Sequence, residues 1–415
     1  MLGKGPYSRR IRNARVQATA RPPGQILGGP VLGDRPGARL LRHTRRRVPV
    51  DIFTPGLVDP VRLNGAYAYL GVSFGHFGHV MAETIHRIVP TRQIEPNPRW
   101  LIVAPRGNAS DFTGLPSVCR TILALFGIDA SNCTVIGTDA IVEELLIVEA
   151  GSDLGAGPKE WYLDQLRDHC PLRIDPDARR YPEKVYVSRS GLGYRSGILG
   201  EQVLEEALAA SGFHNLHAQS LPLAEQFAHY AHAKVLIFAE GSACHGVELF
   251  GRGVLGHAIL LNRRDQARTP FLPVLKSRAR QFDGFLRNPY LGSIVLHPTG
   301  GPAPNRGVSV LAFQTLATFL FELGVADIRH VSPLAYLAAA HRDLEEYIAT
   351  AALNPDKAAL NLVDDLRAAL EARVEARGTI APLPPQLTVQ ERRALRGAGS
   401  EGGGPEQLVA RFTSG

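Results

Sequence analysis

The chain has 415 residues, of which 45% are hydrophobic and 20% are charged, values that are ordinary for a globular protein of two conventional domains. Its four cysteines form no C-x-x-C pair and no zinc-ligand spacing, which argues against a disulfide framework and against a structural metal. No stretch approaches the roughly 18–20 consecutive apolar residues of a membrane span and no signal peptide is evident, so the sequence predicts a cytoplasmic protein.

The net charge of +7 is concentrated at one end of the chain. Residues 1–50 contain twelve Lys or Arg and one acidic residue, so the remaining 365 residues sum to −4. Residues 1–49 are also rich in Pro and Gly and lack helical periodicity, which predicts a disordered basic arm. Such an arm would suit peripheral contact with anionic lipids at the inner face of the membrane, and a solvated extension is the alternative. It lacks interleaved aromatic residues and any recognised motif, so no specific nucleic-acid partner is predicted.

Residues 50–180 predict an N-terminal α/β domain. Apolar, strand-like runs at residues 99–104 and 133–136 flank a helical pattern at residues 116–126. A short amphipathic helix is predicted at residues 80–89, ended by Pro90. A polar, proline-bearing segment then places the domain boundary near residue 180.

Four ionisable residues cluster at the start of that short helix. If the helix begins near residue 78, His79, Glu83 and His86 fall at positions i, i+4 and i+7, on one face where acid/base groups could converge. Metal binding is the alternative, but His76-x-x-His79 followed by Glu83 is not the H-E-x-x-H pattern of zinc proteases. The spacing favours an acid/base role for His79 and Glu83.

Residues 181–304 predict a C-terminal α/β domain. Strand-like runs at residues 184–188 and 235–239 flank a helical pattern at residues 200–213. This order predicts a parallel, doubly wound sheet, whose ligands bind beyond the carboxyl ends of the strands. The loops after both strands are therefore candidate ligand sites.

The first loop carries Arg189 and Arg195 on either side of a Ser-Gly-x-Gly turn. A guanidinium group presents a rigid fork of donors to phosphate, and glycines let backbone N–H groups approach it. The alternative is a loop whose arginines face solvent. The spacing Gly191-x-Gly193-x-x-x-Gly197 is one residue too long for the dinucleotide-binding fingerprint.

The second loop, Glu240-Gly241-Ser242 followed by His245, sits where a strand turns into a helix. Exposed N–H groups and the helix dipole favour an anion there, with Ser242 as a cap or a ligand donor. Glu240 would repel phosphate, so it is expected to accept hydrogen bonds from the hydroxyl groups of a ribose or a sugar. A capping turn with a structural glutamate is the alternative.

The last part of the chain is predicted to be helical and then flexible. Helical patterns at residues 308–323, 333–351 and 356–375 define a helical C-terminal region over residues 305–377. Residues 378–415 are rich in Pro, Gly and charge, which predicts a flexible tail.

Taken in succession, these motifs resemble the core of the family 61 glycosyltransferases (the DUF563 group). The resemblance covers about residues 69–262 and follows the family's order. It is carried by Phe77-Gly-His79 with Glu83, Tyr186-Val-Ser-Arg189, Gly200-Glu201, Gly212-Phe213, Leu-Pro-Leu-Ala-Glu-Gln226, and Glu240-Gly-Ser-Ala-x-His245.

The resemblance implies two Rossmann-like domains in a GT-B-like arrangement, and an inverting hexosyl or pentosyl transfer from a nucleotide sugar to a glycan hydroxyl. Arg189, less firmly Arg195, and the Gly241-Ser242 backbone would neutralise the diphosphate, while Glu240 and His245 would contact the nucleotide or sugar. His79 and Glu83 would bind the acceptor or act as the general base. No metal or cofactor is implied besides the nucleotide-sugar co-substrate. Bacterial members of this group are commonly linked with capsular or surface polysaccharide synthesis.

Two other classes remain open. A sulfotransferase or phosphotransferase could use similar phosphate loops, although a sulfotransferase would carry its loop after the first strand of the chain. A non-catalytic nucleotide- or sugar-binding protein is the other alternative.

Overall fold

The structure is a computed structural model that describes residues 5–20, 26–33, 36–169, 174, 177–192, 196–264, 269–298 and 300–374. All of these residues belong to one unit, Met1–Ile380. Two large sheets lie on either side of residue 180 in sequence. The division of the chain into separate domains at that residue stays a prediction.

The first sheet has seven strands. In spatial order they are β5 (Asp51–Ile52), β2 (Ile26–Pro30), β1 (Ser8–Ala20), β9 (Ala140–Val148), β6 (Val61–Val72), β7 (Trp100–Val103) and β8 (Cys133–Ile136). β9, β6, β7 and β8 are parallel to one another, whereas β1 is antiparallel to both β2 and β9. This sheet is therefore mixed, unlike the purely parallel sheet of a doubly wound domain.

The basic N-terminal segment is not a disordered arm in its described residues, so that prediction is wrong. Strand β1 pairs with β9 from Ser8↔Val148 to Val16↔Ala140. Its alternate residues Ala14 and Val16 are buried, and Arg10 forms ion pairs with two carboxylates. The two-residue period of a half-buried strand is limited to residues 14–16, and the neighbouring arginines obscure it in a reading based on composition.

The second sheet contains five parallel strands, as the alternation in residues 181–304 predicts. Their order is β14 (His214–Leu216), β12 (Lys184–Val187), β15 (Val235–Ala239), β16 (Leu255–Leu261) and β17 (Ala279–Phe285). Successive residues enter different cores: Leu236 and Phe238 pack with residues of the first sheet, while Ile237 and Ala239 pack with the C-terminal helices. Burial on both faces is typical of a parallel sheet.

Three small sheets complete the strands. They pair β3 (Thr44–Arg45) with β4 (Val48–Pro49), β10 (Ser152–Asp153) with β11 (Gly157–Pro158), and β19 (Val308–Val310) with both β13 (Ile198–Leu199) and β18 (Tyr290–Gly292).

Eleven α-helices are described in the ranges given above. They are α1 (Pro36–Arg39), α2 (Phe77–His79), α3 (Ile88–Ile94), α4 (Ser117–Ala124), α5 (Glu160–His169), α6 (Glu201–Ala210), α7 (Leu223–His232), α8 (Leu272–Lys276), α9 (Phe313–Glu322), α10 (Pro333–Ala352) and α11 (Val363–Val374). Helices α9 to α11 form the predicted helical region after residue 305, so a mixed α/β fold with C-terminal helices is confirmed. None of the described helices combines the length and apolar character needed to cross a membrane. The tail predicted at residues 378–415 lies outside the described residues.

The helix predicted near residue 80 is broken into four short pieces. After α2 come a π-helix (Val80–Thr84) and a 3-10 turn (Ile85–Arg87), and α3 follows. Pro90 does not end the helix, because it occupies the first turn of α3, where a missing backbone N–H costs nothing. Single π-turns of this kind occur often at functional sites.

Candidate functional site

His79, which directly precedes the π-helix, and Glu83, within it, form a hydrogen-bonded pair on one face. Nδ1 of His79 lies 2.5 Å from Oε1 of Glu83, and the side chain of His79 is 44% exposed whereas that of Glu83 is 1% exposed. Because an ionised carboxylate only accepts hydrogen bonds, Nδ1 of His79 carries the proton of this bond. In the neutral ring, Nε2 then keeps its lone pair and is free to accept a proton.

Glu83 is held by two further side chains that the sequence did not associate with it. Nε2 of His43 and Nε of Arg45 both lie 2.7 Å from Oε2 of Glu83, and a second nitrogen of Arg45 lies 3.2 Å from Oε1. Burial alone would raise the pKa of Glu83, but the hydrogen bonds from His43, His79 and Arg45 hold it well below its usual value. Glu83 is thus an ionised carboxylate with both oxygens occupied, suited to orient His79 and unsuited to receive a proton from a substrate.

His86, predicted on the same face as His79 and Glu83, is not part of this cluster. Its ring is buried, with Nδ1 3.2 Å from the hydroxyl of Tyr162 and Nε2 3.7 Å from Oε2 of Glu248. The π-turn and the 3-10 turn between the two histidines change the angle per residue, so the i+7 position no longer lies above position i.

A second histidine–carboxylate pair lies on the 3-10 helix Ser242–Val247 and just beyond it. Nδ1 of His245 lies 3.1 Å from Oε1 of Glu248, and both side chains are buried. The ring of His245 contacts the backbone of Gly78, because a Cβ at that position would lie 2.9 Å from Cδ2 of the ring. The predicted residues His79, at the end of α2, and His245, in the 3-10 helix, therefore belong to two segments that lie against each other.

Arg189 follows strand β12 and packs against the next loop. A Cβ on Gly241 would lie 2.1 Å from Nη1 of Arg189, so glycine at position 241 is what lets the guanidinium group approach the backbone there. Burial lowers the pKa of Arg189, an effect that Glu201 partly offsets. Its Nε is buried and has no hydrogen-bond partner within the described residues. A buried, unsatisfied donor on a cation is suited to bind an anionic oxygen.

Glu240 is enclosed by the protein itself, and the expected hydrogen bonds from the hydroxyl groups of a ligand stay a prediction. Its side chain is 0% exposed. Oε2 accepts hydrogen bonds from the backbone N–H groups of Arg263 and Arg264 at 2.8 and 2.9 Å, and Oε1 lies 2.8 Å from a guanidinium nitrogen of Arg264. The carboxylate fixes the loop that follows β16, which corresponds to the structural alternative.

Arg263 and Arg264 are two further residues of this site that sequence reasoning missed. Arg263 is buried, and its guanidinium group donates to the carbonyl oxygens of Gly307 and Asn305 at 3.0 and 3.2 Å. Burial, and then the neighbouring charges of Arg189 and Arg264, lower the pKa of Arg263 to about 9. The sequence did contain a signal for these two arginines. They lie just beyond the end of an apolar strand of the same parallel sheet, as Arg189 does.

The remaining predicted positions contribute less, or lie outside the described residues. Ser242 is half-buried and begins a 3-10 helix of only six residues, so the expected helix dipole is short. The nearby arginines are therefore the larger source of positive charge. Arg195 lies outside the described residues.

The two halves of the site meet at the loop around His245. His76, next to His79, has its pKa lowered by burial and then by the nearby His79, His245 and Arg306. Arg306 lies in the loop whose carbonyl groups bind Arg263. The partly exposed imidazole of His79 thus lies near the segment around His245. Beyond that segment is a group of three arginines, which follow β12 and β16, the two strands on either side of β15.

Across the ranges that the structure describes, no group of three or more His, Cys, Asp or Glu side chains is placed to hold a metal ion. The expectation that no metal or cofactor is needed stays a prediction.

One comparison with known proteins bears on this site. A family model with the description Glycosyltransferase 61 matches residues 77–250, which confirms the resemblance over that region. The match includes His79, Glu83, Arg189 and His245, and it excludes the segment that carries Arg45. No curated protein matches the chain.

Proposed function

We propose, from the membership of residues 77–250 in the glycosyltransferase 61 family, that this protein transfers a sugar from a nucleotide-sugar donor to a glycan hydroxyl with inversion. The family itself points to a glycosyltransferase with a sugar donor and a glycan acceptor. The nucleotide, the inverting course, a hexose or pentose as the sugar, a GT-B-like pair of Rossmann-like domains and a role in surface or capsular polysaccharide synthesis belong to the proposal.

The observation that carries the proposal is the group of three arginines. Arg189 follows β12, and Arg263 and Arg264 follow β16, two strands that flank β15 in one parallel sheet. Ligands of such sheets bind beyond the carboxyl ends of the strands. A nucleoside diphosphate leaving group carries negative charge on several oxygens, and guanidinium groups stabilise that charge as it develops.

The transfer itself requires one bond to break and one to form at the anomeric carbon. The acceptor oxygen attacks that carbon from the face opposite the diphosphate, the bond to the diphosphate oxygen breaks with its electron pair, and the acceptor proton passes to a base. Nε2 of His79 is the proposed base, because Glu83 holds the other ring nitrogen and the side chain is 44% exposed. Glu83 becomes a positioning residue.

The proposed contact of residues 1–50 with an anionic membrane at the cytoplasmic face rests on fewer free charges than the composition implies. Arg10, Arg42 and Arg45 each form an ion pair with a carboxylate of the folded protein. Exposed arginines such as Arg9 and Arg12 remain available for that contact.

The donor site is tested by a thermal-shift screen of UDP-, GDP- and CMP-sugars. A ligand at a hundred times its Kd stabilises a folded protein by about 2.7 kcal/mol. We expect one class of nucleotide sugar to raise Tm, and Arg189→Ala to abolish the rise. Arg179→Ala, which removes a side chain that is 92% exposed, is the control and should respond as the parent does. The absence of a shift with every donor class, or an unchanged shift in Arg189→Ala, would show that the donor site is assigned wrongly.

The base is tested with His79→Gln. Loss of a general base lowers kcat by about a hundredfold to ten-thousandfold. Donor binding should persist in the variant, because the arginines are unaltered. Donor binding without transfer or donor hydrolysis in the parent would instead indicate a non-catalytic binding protein.

A further inference from the structure

We propose that His43 and Arg45, which precede the family region in sequence, are positioning residues for the transfer reaction: they hold the carboxylate of Glu83 so that it fixes His79. This inference rests on the proposed role of His79 as the base. It assigns part of the basic N-terminal segment to the reacting site.

The contacts of Glu83 define what each partner can do. Arg45 approaches both carboxylate oxygens, with Nε 2.7 Å from Oε2 and a terminal nitrogen 3.2 Å from Oε1, a fork that fixes the plane of the carboxylate. His43 donates to Oε2 from 2.7 Å. Oε1 is thereby directed at Nδ1 of His79, at 2.5 Å.

Arg45 also brings a positive charge to the buried carboxylate of Glu83. The side chain of Glu83 is 1% exposed, and an ionised carboxylate removed from water is costly unless cations and hydrogen bonds compensate it. Among the three side chains that hold Glu83, Arg45 is the guanidinium group, and its fork brings a positive charge to both carboxylate oxygens. Without Arg45 the carboxylate would take up a proton more readily, and a protonated carboxyl group no longer selects the Nδ1–H form of His79.

The segment that carries Arg45 is seated firmly enough to fix these positions. Arg87, which is buried, donates from Nη2 to the carbonyl oxygens of Leu41 and Arg42 at 2.9 and 3.1 Å. In the turn of the β3–β4 hairpin, the backbone N–H of Arg47 lies 3.0 Å from Oδ2 of Asp153. Residues 41–47 are therefore attached both to the 3-10 turn that follows the π-helix and to strand β10.

The matched comparison uses two neighbouring arginines of one hairpin. In Arg45→Met, kcat for transfer should fall about tenfold to a hundredfold, because the base is still present but is no longer held in one orientation. KM for the donor should stay within about twofold. Arg45→Lys should recover part of the loss, because it restores the charge without the fork. Arg46→Met, at an exposed residue that does not contact Glu83, should leave kcat unchanged.

A spectroscopic readout separates this inference from the proposed function. Nitrogen-15 spectra of the histidine side chains report which ring nitrogen carries the proton, with or without turnover. We expect His79 to be protonated at Nδ1 in the parent and to populate both neutral forms in Arg45→Met, and His43→Gln should shift the balance in the same direction. If His79 stays in the Nδ1–H form in both variants, or if Arg45→Met matches Arg46→Met in kcat, the inference is wrong. Absence of transfer in every protein, the parent included, refutes the proposed function, while the spectra still decide whether the hairpin sets the state of His79.

Discussion

His86 makes the stability of the folded protein sensitive to mild acid. Its side chain is 1% exposed, Nδ1 contacts the hydroxyl of Tyr162, and Nε2 has no hydrogen-bond partner within the described ranges. Burial lowers the pKa of His86 from 6.5 to about 4, and the attraction of Glu248 offsets only part of that effect. The ring is therefore neutral in the folded protein at pH values where it is charged in the unfolded chain.

The sign and the size of the effect follow from proton linkage. Between pH 6.5 and about 4 the unfolded state binds a proton at His86 that the folded state does not, so the free energy of unfolding falls as the pH falls. Each pH unit in that window is worth about 1.4 kcal/mol, and the step of roughly 1.5 units from pH 6.5 to pH 5 therefore costs about 2 kcal/mol. Most carboxylates titrate below pH 5, which separates their contribution from that of His86 between pH 6.5 and pH 5.

Urea denaturation at pH 7 and at pH 5, followed by the fluorescence of Trp100 and Trp161, measures this loss. The parent should lose about 2 kcal/mol more than His86→Gln between the two pH values, because glutamine does not titrate. His330→Gln, at an exposed position, controls for the replacement of a histidine and should follow the parent. Equal losses in the parent and in His86→Gln would refute the assignment of the buried, neutral ring.

Two substitutions test the arginine group directly. Gly241→Ala places a Cβ 2.1 Å from Nη1 of Arg189 and should displace the guanidinium group, so the rise in Tm with a nucleotide sugar should be lost. Gly197→Ala is the control, because no heavy atom lies within 4 Å of the added Cβ, and it should keep the rise in Tm. Glu240→Gln leaves the charge of Arg264 uncompensated and should lower the free energy of unfolding by about 3 kcal/mol in urea titrations. A change of under about 0.5 kcal/mol, the usual size for a surface substitution, would contradict that role of Glu240.

The parallel sheet and the placement of Arg189 could be predicted from the sequence because their signals are local. Apolar runs bounded by polar loops mark β12 and β15, and parallel strands bring their carboxyl ends to one edge. The same rule applied to β16 would have found Arg263 and Arg264. The rule could not predict that the carboxylate of Glu240 is bound by Arg263 and Arg264, because that depends on which groups lie within reach of it in the folded protein.

The contacts of Glu83 could not be predicted for a different reason. Arg45 lies 38 residues earlier in the chain, in a segment whose charge and proline content resemble those of disordered regions. The buried face of β1 is short and interrupted by arginines, so composition outweighed its two-residue period. The π-turn at Val80–Thr84 has no sequence pattern comparable to the 3.6-residue period, which is why the position of His86 was predicted wrongly.

The pairing of β1 with β9 also limits when the first sheet can form during synthesis. Ser8 pairs with Val148, and 140 residues separate the two. At a translation rate of roughly 5–20 residues per second, β1 leaves the ribosome on the order of ten seconds before its partner strand exists. During that interval its arginines have no acidic partner from β9, and only the C-terminal half of β1 can pair, with β2. The N-terminal half of β1, which pairs with β9 alone, can take its place in the sheet only after residues 140–148 have been made.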